Sequence, residues 1–69
     1  MDWISIDEVA GLLQCSPNTL RRNETPDGRY CAIMGSYIRV WRIRQGVNWQ
    51  RRYSRTEVLQ LRRRMTARL

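Results

Sequence analysis

The chain has 69 residues, enough for one small domain that buries roughly 60% of the surface its unfolded form exposes, and too few for a second domain or a deep substrate cleft. Its hydrophobic content, 42%, is that of ordinary globular domains. No apolar run approaches the roughly 18 residues that cross a bilayer, which excludes a membrane-spanning segment. The formal charge is +7, and the 13 basic residues are all arginine, with no lysine and no histidine.

Charge is unevenly placed. Residues 1–27 carry Arg21 and Arg22 against five acids, a balance of −3, whereas residues 28–69 carry eleven arginines against Glu57 alone, a balance of +10. Arginine's planar fork of donors suits phosphate and the guanine edge. The asymmetry therefore predicts a polyanionic partner, nucleic acid before membrane, met mainly by the second half of the chain; a merely solvated charged face is the plainer alternative. The start, Met1-Asp2-Trp3-Ile4-Ser5, is acidic where a leader peptide would be basic, and the expected location is the cytoplasm of a bacterial host cell, close to the nucleoid, for a bacterial or viral protein. Cys15 and Cys31 are too few and too far apart for a zinc site, and small buried apolar roles suit them better. No cofactor or metal is expected.

In chain order, Ser5 and Glu8 form an S-x-x-E capping box, with Ile4 and Val9 at the positions of a hydrophobic staple. Ile6, Val9, Ala10, Leu12 and Leu13 then recur at helical spacing, predicting a first helix over 6–14. Ser16 caps a second helix, Pro17 suits its first position, and Cys15 with Leu20 offers another staple. Asn18, Thr19, Arg21 and Arg22 would face outward, and Arg21 has Glu24 at helical spacing. The Pro26-Asp27-Gly28 turn ends this element. Two short helices about two residues apart make a helix-turn-helix.

The middle of the chain is rich in aromatic and β-branched residues. Residues 29–34 read equally as a short strand or a helical turn. Tyr37 to Arg44 and Asn48 to Tyr53 flank Gln45-Gly46-Val47-Asn48 and predict a β-hairpin bearing Arg39, Arg42, Arg44, Arg51 and Arg52. A second capping box, Ser54 with Glu57, and a staple of Tyr53 with Val58 open the last helix. Its apolar stripe is Val58, Leu61, Met65 and Leu69. Arg62, Arg63, Arg64 and Arg68 cover the rest, as a third phosphate contact or as solvent face. Trp3, Trp41 and Trp49 could stack on bases, but aromatic residues in so small a domain favour the core, Trp41 above all.

The expected fold is α+β, a single winged helix-turn-helix domain spanning 1–69. The stretches Ile4-Ser5-Ile6-Asp7-Glu8-Val9-Ala10 and Ser16-Pro17-Asn18-Thr19-Leu20-Arg21-Arg22 resemble the helix-turn-helix of MerR-type domains. Arg51-Arg52-Tyr53-Ser54 through Val58-Leu59-Gln60-Leu61 resembles the segment where that family leaves its wing and begins its next helix. MerR regulators continue into a long dimerising helix and an effector domain, whereas this sequence ends at Leu69 and is similar in size and layout to the excisionases of phages and integrative elements. The resemblance implies a DNA-bending recombination directionality factor with an integrase or recombinase as partner, and DNA-assisted self-association on repeated sites. It also implies that Ser16, Pro17, Asn18, Thr19, Arg21 and Arg22 serve the major groove. Arg39, Arg42, Arg44, Gln45 and Asn48 would then serve the wing, and Arg51, Arg52 and Arg55 would clamp phosphates.

A phage-type transcriptional repressor of the same fold and an adaptor binding a host protein through its basic face are the competing readings. An enzyme is disfavoured. The chain has no histidine, no nucleophile elbow, no glycine-rich phosphate loop and no carboxylate pair beyond Asp7-Glu8, which the helix start explains.

Overall fold

Ser5, in extended conformation, accepts a hydrogen bond from the Glu8 amide at 3.3 Å and so starts helix α1, Ile6–Leu13. Gln14 ends it in the left-handed region (φ 55°, ψ 49°), its N–H donating to the Ala10 carbonyl. This tight reversal leads within three residues to α2, Pro17–Arg22, whose cap Ser16 accepts from the Thr19 amide at 3.2 Å and whose first position is the expected proline. The computed structural model describes residues 2–33 and 35–66.

The remaining elements are strands β1 (Trp3–Ile4), β2 (Tyr30–Ile33), β3 (Ser36–Arg39), β4 (Trp41–Gln45) and β5 (Asn48–Ser54), and helix α3 (Arg55–Thr66). The chain is thus a small α+β domain with three helices and two antiparallel sheets among the described residues, one ordered β1-β5-β4 and the other β2-β3. The ambiguous segment around 29–34 resolves as a strand. Cys31 and Ile33 turn inward along β2, a period of two that a helical turn would not satisfy.

The expected strand from Tyr37 to Arg44 is divided. Val40 lies between β3 and β4; its side chain is buried and its N–H donates to the Arg29 carbonyl at 2.8 Å, so the chain changes sheets there. Arg39 consequently belongs to the inner hairpin, β2–β3, while the outer hairpin, β4–β5, pairs Arg42 with Arg51 and Arg44 with Trp49. Beside β2, residues 23–25 run as an improvised neighbour: Thr25 N–H donates to Tyr30 O at 2.8 Å and Ala32 N–H to Asn23 O at 2.9 Å.

One core unites these parts. Val9 and Leu13 of α1, Leu20 of α2, Cys31 and Ile38 of the inner hairpin, Tyr53 of β5, and Val58 and Leu61 of α3 are almost wholly buried together. Each staple position falls in this cluster or, for Cys15, packs against it. Of the stripe on α3, the side chain of Met65 and all of Leu69 lie outside the described residues, as does Arg68. The second capping box is only half made: Ser54 Oγ accepts from the Glu57 amide at 3.4 Å, but the Glu57 carboxylate accepts instead from the Arg39 amide at 2.7 Å, fastening β3 to α3. No helix among the described residues is long and apolar enough to cross a membrane.

Candidate nucleic-acid interface

The exposed side of α2 is assembled from short-range contacts. Arg21 Nη1 donates to Asn18 Oδ1 at 3.0 Å, and the Ser16 and Thr19 hydroxyls share a hydrogen bond of 2.9 Å. Asn18, Arg21 and Arg22 are exposed, Pro17 and Thr19 half-buried. Nothing covers the outward side of this helix among the described residues, because Leu20 alone of its residues points into the core.

Glu24 is the centre of the arrangement, a role that its helical spacing from Arg21 does not suggest. Its carboxylate turns away from Arg21 and binds Arg42 and Arg51 instead: Arg42 Nη2 donates to Oε2 at 3.1 Å, Arg51 Nη2 to the same oxygen at 3.4 Å, and Arg51 Nε to Oε1. Arg42 and Arg51 are cross-strand partners, so a single carboxylate reaches both arms of the outer hairpin. The Glu24 backbone is itself bridged to Cys31 of β2. Burial works against its charge, yet the hydrogen bonds and charges of Arg51 and Arg42 outweigh burial and hold its carboxyl below the usual value. Partners 18 and 27 residues away leave no periodic trace in a sequence, so neither Arg42 nor Arg51 could be matched to Glu24 beforehand.

Strand alternation sorts the remaining arginines. Arg42, Arg44 and Arg51 share one face of the outer hairpin, the face turned toward the end of α2, together with Trp49. Arg44 Nε donates to Gly46 O at 3.1 Å, and Gln45 and Asn48 are the exposed pair that flanks the turn. Arg52 lies on the opposite face beside Trp41, its Nη1 donating to the Arg51 carbonyl at 2.8 Å. Arg39 is on that opposite side too, its guanidinium 4.4 Å from the Trp41 ring centre and 5.7 Å from that of Tyr30. Its Nε is buried without a hydrogen-bond partner among the described residues, as befits a group stacked between rings. Arg55 is exposed at the start of α3.

The expected constellation therefore divides. Arg42 and Arg51 are joined through Glu24 to the segment that follows α2, with Arg44 on the same hairpin face, whereas Arg39 and Arg52 face away; Ser16 through Arg22 form their own exposed surface on α2. Trp41 is not a core residue. It is half-buried, meets Trp3 edge-on at 5.1 Å between ring centres, and with Asp2, Trp3, Ser54, Thr56 and Glu57 lines a cleft of about 370 Å³.

Comparison with protein-family models, with curated proteins and with solved structures finds no match for this chain. What the site can do follows from its own chemistry: guanidinium and amide donors, one anchoring carboxylate and an exposed indole. Among the described residues no three His, Cys, Asp or Glu side chains gather to hold a metal ion.

Proposed function

We propose that this chain is a winged helix-turn-helix domain that binds duplex DNA and carries out no catalysis, with α2 entering the major groove and the β4–β5 hairpin serving as the wing. The observation that supports this reading is the pairing of Glu24 with Arg42 and Arg51, which ties both arms of an arginine-bearing ribbon to the segment that directly follows the exposed helix 17–22. Asn18, Arg21 and Arg22 have the length and donors to reach base edges, with Arg suited to guanine and Asn to adenine. Arg44, Gln45 and Asn48 lie where a wing meets the neighbouring minor groove and backbone. The resemblance to excisionases extends the proposal to an architectural factor that assembles side by side on repeated sites next to an integrase.

Selection of bound fragments from random duplex DNA at two salt concentrations tests the reading. Enrichment of a defined sequence, with an affinity that falls steeply with salt, is the expected result. Arg22→Ala should then cost about 1–3 kcal/mol on the selected sequence and relax preference at one position, or, if Arg22 meets phosphate, weaken all sequences and lower the salt slope by about 1. If it changes neither affinity nor preference, α2 is not the reading helix.

A further inference from the structure

Every residue from Arg42 to Gln50 is exposed. Of the five large hydrophobic side chains exposed among the described residues, three lie on this hairpin: Ile43 at 39%, Val47 at 87% and Trp49 at 63%. A ribbon that only held phosphates would gain nothing from them, since phosphate contacts call for cations and amide donors. Their neighbours are Arg42, Arg44, Gln45, Asn48, Gln50 and Arg51, with no acidic residue in the hairpin.

The turn geometry places the apolar groups at the front. Gly46 has φ 65° while Val47 does not share the positive φ, the arrangement of a type II′ two-residue turn, which leaves Val47 at the apex with no cover. Trp49 stands one register step behind, opposite Arg44 and on the α2 side, and the bond from Arg44 Nε to Gly46 O keeps that guanidinium near the apex. Guanidinium and amide side chains around a branched apolar tip are the chemistry of side chains that read the acceptor-lined floor of the minor groove and press an apolar group against a base step. The groove is about 6 Å wide, and a ribbon whose two backbones alone stand about 4.8 Å apart enters only if it widens. Widening of this kind accompanies bending toward the major groove.

We infer that the hairpin apex is a wedge: Val47, backed by Trp49, presses into the minor groove, partly unstacks a base step and kinks the duplex. This rests on the DNA-binding reading and adds to it the device at the hairpin apex: two residues, apart from the phosphate and base-edge contacts, that kink the duplex by unstacking one base step. Flexible pyrimidine–purine steps are its preferred target and stiff A-tracts its poorest.

The test uses the full chain and duplexes of about 30 base pairs, labelled at both ends with a donor and an acceptor dye and carrying 2-aminopurine beside the central step, with that step either TA or inside an A-tract. On the TA duplex the wild type should bring the ends together and raise the 2-aminopurine fluorescence that reports unstacking, with smaller changes on the A-tract. Val47→Ser and Trp49→Gln should lose most of both signals while affinity falls no more than about threefold, because the arginines that supply most of it are intact. Unchanged thermal midpoints would confirm that the fold is kept. Variants that bend and unstack DNA like the wild type would overturn the wedge, as would wild-type binding without either signal. No salt-dependent binding of any duplex by the wild type would overturn the DNA-binding reading itself, and the wedge with it.

Discussion

Tyr53 is fully buried, yet its hydroxyl has no hydrogen-bond partner among the described residues. Burial first, then the nearby Cys31 and Glu24, pushes the phenol up to about 12, so it stays neutral at any physiological pH. A buried polar group without a partner bears its desolvation cost uncompensated, about 1–3 kcal/mol. Tyr53→Phe keeps the ring in the core and removes that group. Its thermal midpoint should therefore match or exceed the wild type's, by about 4–8 °C for each kcal/mol recovered in a domain of this size. A drop of several degrees would mean that the hydroxyl is satisfied after all. The ring's role in closing the staple with Val58 was legible because its signal is local, five residues along the chain. The isolation of its hydroxyl was not, since that depends on which distant residues surround it in the fold.

Among the elements, the joint between α2 and the outer hairpin is the most specific. Glu24 is held on β2's flank and in turn holds both arms of the hairpin through Arg42 and Arg51. Its folded carboxyl titrates below the ordinary value of 4.5, so the stabilisation is present above that pH and is lost as acid carries the solution down through the folded value. Glu24→Gln should lower stability by about 1 kcal/mol at neutral pH, a modest figure because both arginines remain partly open to water. The gap to the wild type should close in an acid titration of the thermal midpoint, and a gap that persists to the acid end of that titration would assign the loss to packing. On DNA the same variant gains a net positive charge and loses the tie between helix and ribbon. Affinity for random duplex should rise while the ratio of selected to random affinity falls. Helix starts at 5, 16 and 54 were readable because capping and staple residues lie three to five positions apart. The Glu24 brace and the break at Val40 were not, because both are decided by which distant strand stands alongside.

At the scale of the whole molecule, the cationic side chains are all guanidinium, and no histidine or lysine is present to titrate. Burial raises both thiols, Cys31 to about 11, with Glu24's charge adding to the effect there. The side-chain charge seen by a polyanion is therefore constant around neutrality. Affinity for duplex DNA should change less than about twofold between pH 6 and 8 at fixed salt, whereas a histidine-bearing basic surface would vary across that window. A steeper profile in a binding titration would mean that some other group gates the contact. The α+β composition, the order of helices and the presence of an arginine ribbon were all in the residue pattern. The partition of five strands into two sheets was not, nor was the turning of Arg39 and Arg52 to the far face, since alternation tells two faces apart without saying which one meets α2.

The exposed turn at Pro26 and Asp27 marks the boundary between the acidic and basic portions of the sequence. Val9, Leu13 and Leu20 lie before it, Ile38, Tyr53 and Leu61 after it, and all share one interior. Severing the polypeptide at this loop would leave two fragments of opposite sign, each with half an apolar cluster and, in Glu24 and its two arginines, the matching parts of a clasp.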